Sequence, residues 1–356
     1  MKLDMSTKAE TGYPDFSAYP FWGAKNLKNL ALCLLAPMPS VAFSMWLFRY
    51  FEPGAIPSDP GLAGLATLDG AAAFLLHNPL VTVNLLFFVN VCIGFWLVAL
   101  VQRSSWLIDP YWTLLPPLMG LFFWAHPLAV ETNARTVLAL SLLGIWSARL
   151  TYNYFRREHW RFGFREDWRF AKKRAESKHF WWVQFFYVYF AQQFMLVGLS
   201  LPFWALSFSD APMSAIDGVF VMLAMFGLLV AHVADTELDQ FMKRNRARVA
   251  AGLAKIQLLD TGIWRYSRHP NYFGEQVFWW SIAGLGVMTG HYWVVVGTVL
   301  NSIVLAVVTI MTERRMLEVP ARREIYREYI RRTSACIPWI PREPKGLSGA
   351  SGVFAR

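Results

Sequence analysis

Apolar residues run along this chain in long blocks separated by short polar segments. About eight of these blocks are long enough to cross a hydrocarbon core of about 30 Å as helices. They lie at Leu27 to Tyr50, Val81 to Val101, Trp106 to Ala125, Val137 to Phe155, Phe180 to Trp204, Ile216 to Ala234, Phe273 to Thr289 and Tyr292 to Met311. The predicted fold is therefore all-α, a polytopic transmembrane helical bundle. Pro37, Pro39, Pro116 and Pro117 fall inside apolar runs and predict kinks where released carbonyls find partners on neighbouring helices. Gly54 to Gly70 reads as an outer loop, and the Gly-, Ser- and Pro-rich stretch after Pro341 reads as a disordered tail.

Composition supports the membrane reading, because 55% of the 356 residues are hydrophobic, only 16% are charged and 17 are Trp. The net charge of +10 raises nucleic acid as a partner, but its distribution follows topology instead. Arg156 to Lys178, Lys243 to Arg268 and Arg314 to Arg342 are basic, whereas Glu52 to Asp69 and Ser209 to Asp217 hold acids and no Lys or Arg. Basic loops stay in the cytosol, so an even span count puts both termini on that side. The expected partners are a bilayer and a lipophilic small molecule, with no nucleic acid. Met1 to Pro20 lacks the apolar core of a cleavable signal, and the first span is expected to direct insertion. Cys33, Cys92 and Cys336 are isolated, which predicts neither a disulfide framework nor a structural metal. Trp181, Trp182, Trp106 and Trp112 sit at span ends and are expected to anchor in the headgroup layer.

Chemistry concentrates at Gly262 to Glu275, between a basic loop and a Trp-rich apolar helix. Pro270 suits the first helical position, which leaves the next backbone amides as a partial positive charge that favours anions. Asn271 and Glu275 lie four residues apart on one helical face and present a donor, an acceptor and a carboxylate, the set a carboxamide needs. Arg265, Arg268 and His269 add positive charge. The plainer reading is a cytosolic arginine cap followed by a proline-initiated span.

Other polar residues gather at the same ends of their spans: Asp109 and Tyr111, Arg149 and Asn153, Asp235, and Glu313. Ionisable groups near hydrocarbon need partners or water, so this coincidence predicts a cofactor cavity at the cytosolic side, although snorkelling charges also collect at helix ends. Gln184, Gln192 and Gln193 lie deeper and suit either a pocket or interhelical hydrogen bonds. Asp235, Asp239 and Lys243 continue one helical face beyond the sixth span, extended by Arg244, Arg246 and Arg248. These cations fit dinucleotide phosphates or ordinary retention in the cytosol.

The run Trp264-Arg-Tyr-Ser-Arg268-His269-Pro-Asn271-Tyr272-Phe-Gly-Glu275 resembles the signature of the steroid 5-alpha-reductase C-terminal family. Ser105 to Trp112, Arg149 to Asn153 and Glu166 to Arg169 are similar to further family segments, so the resemblance covers roughly Ser105 to Pro341. It divides the chain into an N-terminal membrane region (1–104), a reductase-like membrane domain (105–341) and a tail (342–356). The resemblance implies NADPH as cofactor, with Asn271 and Glu275 at its nicotinamide end. Asp235, His269, Trp264, Tyr326 and Tyr329 are implied around it, and Glu313-Arg314 in the segment that closes over it. Ala231 stands where many relatives have a polar residue, and Glu237-Leu238 where many have Gln-Lys.

The expected activity is NADPH-dependent reduction of an activated carbon-carbon double bond in a lipophilic substrate such as a steroid or sterol. Tyr272 would pack on the nicotinamide, Arg268, Lys243 and Arg244 would pair with phosphates, and Asp109 or Tyr111 would act as the acid. Asp109, Tyr111 and Glu275 are thus the catalytic candidates. The alternatives are an S-adenosylmethionine-dependent methyltransferase, which shares an Arg-His-Pro-x-Tyr-x-Gly element, and a non-catalytic lipid-binding membrane protein. A transporter fits less well, because the polar residues gather at one surface. The expected location is the endoplasmic reticulum membrane in a eukaryote or the cytoplasmic membrane in a bacterium.

Overall fold

A computed structural model describes residues 19–342. The expectations for residues 1–18 and 343–356 lie outside the described residues. The described chain is helical, with no strand; an isolated bridge joins Ser267 and Ser334. Helices α1 (Ala24–Leu35) and α2 (Met38–Phe48) are separated at Ala36-Pro37, where proline lacks the donor that would continue the first helix. A short α3 (Leu68–His77) is capped by Thr67, whose hydroxyl accepts from Gly70 N at 3.1 Å. Next, α4 (Pro79–Phe87) passes through a π-helical stretch, Phe88–Phe95, into α5 (Trp96–Gln102).

The central helices are α6 (Ile108–Trp124) and α7 (Ala134–Arg157), the latter capped by Asn133, which accepts from Thr136 N at 3.0 Å. Asp167 caps α8 (Trp168–Glu176). A second π-helical stretch, Phe185–Phe190, lies between α9 (Phe180–Gln184) and α10 (Ala191–Ser207). The last helices are α11 (Ala215–Ala250), α12 (Pro270–Val287), α13 (Val296–Glu318) and α14 (Pro320–Arg332).

Among the described residues, five stretches are long and apolar enough to cross a membrane: Ala24–Phe48, Pro79–Gln102, Phe180–Ser207, Ala215–Ala250 and Tyr292–Glu318. The other three expected spans form helices that fall short of that standard. Helix α6 has 17 residues, α7 carries Arg135, Arg149, Arg156 and Arg157, and α12 opens on Asn271, Glu275 and Gln276.

Contacts divide the described residues into two compact units, one of residues 225–278 and 302–342, the other of residues 19–224 and 279–301. In the larger unit α6 packs against α7 and α10, with Gly120 against Leu140, Leu143 and Phe203. A Cβ on Gly297 would lie 1.9 Å from the backbone of Gly198, so α10 and α13 cross in backbone contact there. Trp106 is buried, contrary to the headgroup position expected of it, and its indole N–H donates to Gln102 at 2.6 Å. Gln193 makes interhelical bonds to the Asn84 carbonyl and side chain at 3.1 Å each, and Gln184 donates to Ser105 in the loop before α6.

Candidate functional site

In the smaller unit the site starts from a close helix crossing. Gly227 and Ala231 lie one turn apart on α11, and a Cβ on Gly274 of α12 would sit 2.5 Å from the Gly227 carbonyl and 2.9 Å from Ala231 Cβ. Such small-residue pairs let backbones touch. A larger polar side chain at Ala231 would separate the helices, which accounts for that departure from the family pattern. One turn beyond Ala231 comes Asp235, and one turn before Gly274 comes Asn271. The crossing thereby brings them together, and Asn271 Nδ2 donates to Asp235 Oδ1 at 3.4 Å. The amide oxygen of Asn271 accepts from Tyr272 N at 3.0 Å. Glu275 follows on the same face of α12, and Asp235, Asn271 and Glu275 are all half-buried. Tyr272 stacks on His269 with ring centres 5.2 Å apart and planes 11° from parallel.

Behind this face is a node of partnered charge. Arg268, 9% exposed, donates through Nε to Glu313 at 2.8 Å, and through Nη1 to the carbonyls of Ile330, at 3.3 Å, and Thr333. His269 Nε2 shares the same Glu313 oxygen at 3.2 Å, and its backbone N–H donates to Ser267 Oγ at 3.1 Å. Tyr326 and Tyr329 are three residues apart on the buried face of α14. The Tyr329 hydroxyl donates to the carbonyls of Trp264 and Ser267, the latter at 3.2 Å. Burial pushes both phenols above their ordinary pKa, with Glu313 adding to the effect on Tyr326. Trp264 Nε1 donates to the Ala234 carbonyl at 3.2 Å. Thus Arg268, Trp264 and Tyr329 each bond the protein's own backbone, and Tyr326 is buried beside Tyr329.

Glu237, the second departure from the family pattern, accepts from Ile263 N at 3.1 Å. Gly262 adopts a positive φ of 60° against it, and a Cβ there would come within 2.2 Å of the carboxylate. Helix α11 continues to exposed Lys243 and Arg244. Lys243 pairs with Asp239 at 2.8 Å, and Arg244 reaches Gln240 at 3.4 Å. Asn245 is buried and bonds both the N–H and the carbonyl of Ile256 at 2.9 Å each, folding the following loop back along the helix.

The remaining candidates, Asp109 and Tyr111, belong to the larger unit. Tyr111 is buried, and its hydroxyl donates to the Cys33 carbonyl. Asp109 is half-buried in the first turn of α6, within electrostatic reach of Asp167, Arg157, Arg169 and Glu158. Two of these have nearer partners. Asp167 binds Arg169 through both oxygens at 2.9 Å, and Glu158 binds Arg165 at 2.5 Å. Burial raises the Asp167 carboxyl, but the hydrogen bonds and charge of Arg169 outweigh it and hold the group below its ordinary range.

Sequence reasoning missed Asn26 and Asn29. Both are buried on α1, where Asn26 Oδ1 accepts from Phe162 N at 2.6 Å and Asn29 Nδ2 donates to the Phe162 carbonyl at 2.9 Å. Paired amides at the start of the first predicted span were the available signal.

The described chain is an integral membrane protein of all-helical fold, with five candidate spanning helices and a polar cluster where α11 and α12 cross. It belongs to the family described as Protein of unknown function (DUF1295), which it matches over residues 95–333. It is similar to an uncharacterized protein of Schizosaccharomyces pombe, at 29% identity over 244 residues, covering 63% of this chain and 69% of that protein. No solved structure matches it.

Proposed function

We propose that this protein is a membrane reductase that uses NADPH to saturate an activated carbon-carbon double bond in a lipophilic substrate of steroid or sterol type. The observation that carries the reading is the hydrogen bond between Asp235 and Asn271, with Glu275 one turn further on the same face. Asp235 accepts from the Asn271 amide and so fixes which way that amide faces. Asn271 and Glu275 then offer a fixed donor-and-acceptor edge suited to a carboxamide, and the neighbouring Tyr272 ring is held by stacking on His269. Two turns beyond Asp235, Lys243 and Arg244 supply exposed cations for phosphates. Arg268 takes no phosphate in this reading, because it holds α14 and Glu313 in place. When bound, the dinucleotide supplies the hydride.

The reading includes eight spans, with α6, α7 and α12 crossing the bilayer under the cover of neighbouring helices. The basic loops and both termini are assigned to the cytosol, where the cofactor is available, and the membrane is the endoplasmic reticulum or the bacterial cytoplasmic membrane according to source.

The test is equilibrium binding to the purified full chain in detergent, read by energy transfer from its tryptophans to NADPH. Wild type is expected to bind NADPH and not S-adenosylmethionine. Asn271→Ala and Glu275→Ala are each expected to weaken binding about tenfold or more, equivalent to about 1.4 kcal/mol. Binding of S-adenosylmethionine alone would transfer the protein to the methyltransferases. Binding of NADPH without turnover on a panel of enones and unsaturated sterols would leave a lipid-binding protein.

A further inference from the structure

In the smaller unit, the chain beyond α14 presents Ile337, Trp339 and Ile340 at 68%, 71% and 77% exposure, with Tyr266 exposed beside them. Exposed apolar residues on the candidate spans face lipid as a matter of course. These three stand instead on irregular chain that follows a strongly polar helix, so no spanning helix accounts for them.

The backbone beneath them is fixed. Arg268 N donates to the Ser334 carbonyl at 2.9 Å, Ser267 Oγ to the Cys336 carbonyl at 2.7 Å, and Trp339 N to the Tyr266 carbonyl at 2.9 Å. Arg342 N closes the run on the Arg332 carbonyl at 2.8 Å. Pro338 and Pro341 have no N–H to satisfy. Residues 337–342 therefore keep most of their backbone donors away from the surface while their large apolar side chains stay outside, the combination that lets irregular chain enter a poorly hydrated layer.

The depth of this segment follows from its ties. Arg268 donates to Glu313, near the end of the candidate span Tyr292–Glu318, and also to the Thr333 carbonyl at the end of α14. The chain after Thr333 is thereby held level with the polar end of a spanning helix, where a bilayer presents its headgroups and where Trp is favoured. The charge there is positive. Arg265, Arg331, Arg332 and Arg342 flank the segment, against Glu328, which binds Arg331, and Asp260, which binds Arg332. A second copy of the chain docked face to face would meet the same surplus of arginine, whereas an anionic leaflet complements it.

We propose that Ile337, Trp339 and Ile340 form a wedge that inserts into the headgroup layer of the bilayer the protein spans, held to anionic phospholipids by Arg265 and Arg342. The wedge is bonded to Tyr266 and Ser267, a few residues before α12 begins, so it ties the start of that helix to the membrane surface. It stands without the dinucleotide reading and lies wholly within one unit.

The test places a polarity-sensitive fluorophore (NBD) at Ile340→Cys, on a Cys336→Ser background, in the full chain in lipid nanodiscs. Cys33 and Cys92 are buried, and exposed Glu324→Cys on α14 serves as the aqueous control. Lipids carrying a nitroxide near the headgroup are expected to quench the label at 340 about twofold or more strongly than lipids carrying it at mid-chain. At equal mole fraction, nitroxide phosphatidylglycerol is expected to quench it about twofold or more strongly than nitroxide phosphatidylcholine. Arg265→Gln combined with Arg342→Gln should bring the two lipids level, and the label at 324 should respond to aqueous cobalt and to neither lipid. Five results would overturn the proposal: the label at 340 is quenched by cobalt as fully as that at 324, mid-chain nitroxides quench it best, the two lipids quench it alike, the double variant keeps the preference, or lipid is excluded only when a disc holds two copies. Ile337→Cys repeats the measurement if the label at 340 disturbs the fold. NADPH binding, measured on the same sample, succeeds or fails independently.

Discussion

Arg268 and Asp109 are both ionisable residues half or more buried near helix starts, and they sit in opposite circumstances. Around Arg268 a carboxylate, a histidine and two backbone carbonyls are matched donor to acceptor. Around Asp109 the nearby arginines are committed to other acids, and the buried Tyr189 phenol and Gln184 amide oxygen remain unmatched among the described residues. The difference separates a cluster whose polar groups are satisfied within the fold from one whose buried phenol and amide are not.

Substitution should expose that contrast. Arg268→Ala leaves Glu313 with His269 alone and removes the bonds to the Ile330 and Thr333 carbonyls, and is expected to cost about 3 kcal/mol, read as a large fall in the thermal midpoint in detergent. Survival of the wild-type midpoint would mean that the node does not organise this unit. Gly274→Val forces apart the crossing at Gly227 and Ala231, with an expected loss of about 1–3 kcal/mol. It should also abolish NADPH binding, because Asp235 and Asn271 no longer meet; retained affinity would detach the site from the crossing.

A smaller effect is expected from acid. Asp167 has a folded-state pKa below its unfolded value, so its contribution is complete above about pH 4 and is lost as pH falls through the folded value. The difference in midpoint between wild type and Asp167→Asn should therefore shrink between about pH 5 and pH 3, by less than about 1 kcal/mol. A difference that grows on acidification would reverse the assignment. The smallest change belongs to Asp109→Asn, expected within about 0.5 kcal/mol of wild type in the absence of ligand because no bond is broken. A loss as large as that of Arg268→Ala would show that Asp109 is structural.

Hydropathy made the spans legible, since apolar length is a local property, and even the three helices that miss the spanning standard occur where apolar runs predicted them. The resemblance singled out Asp235, Asn271 and Glu275. What escaped was everything set by distant packing. Gly227, Ala231 and Gly274 are ordinary small residues until two helices cross on them. Trp106 reads as a headgroup anchor because its flanks are polar, but Gln102 and the loop near Gly163 enclose it. Asn26 and Asn29 find their partner more than 130 residues later in the chain, a pairing no local pattern encodes. Tyr189 was invisible because the π-helical turn breaks the periodicity on which helical faces are read.

Helix α11 is an unbroken rod of 36 residues, about 54 Å long and well beyond what a bilayer requires. Asp235 and Lys243 are fixed on it eight residues apart, so about 12 Å separates the two ends of the polar face whatever the loops do. The rod therefore acts as a gauge: a ligand gripping both ends has to be extended, and one shortened from its phosphate end leaves Lys243 and Arg244 out of reach.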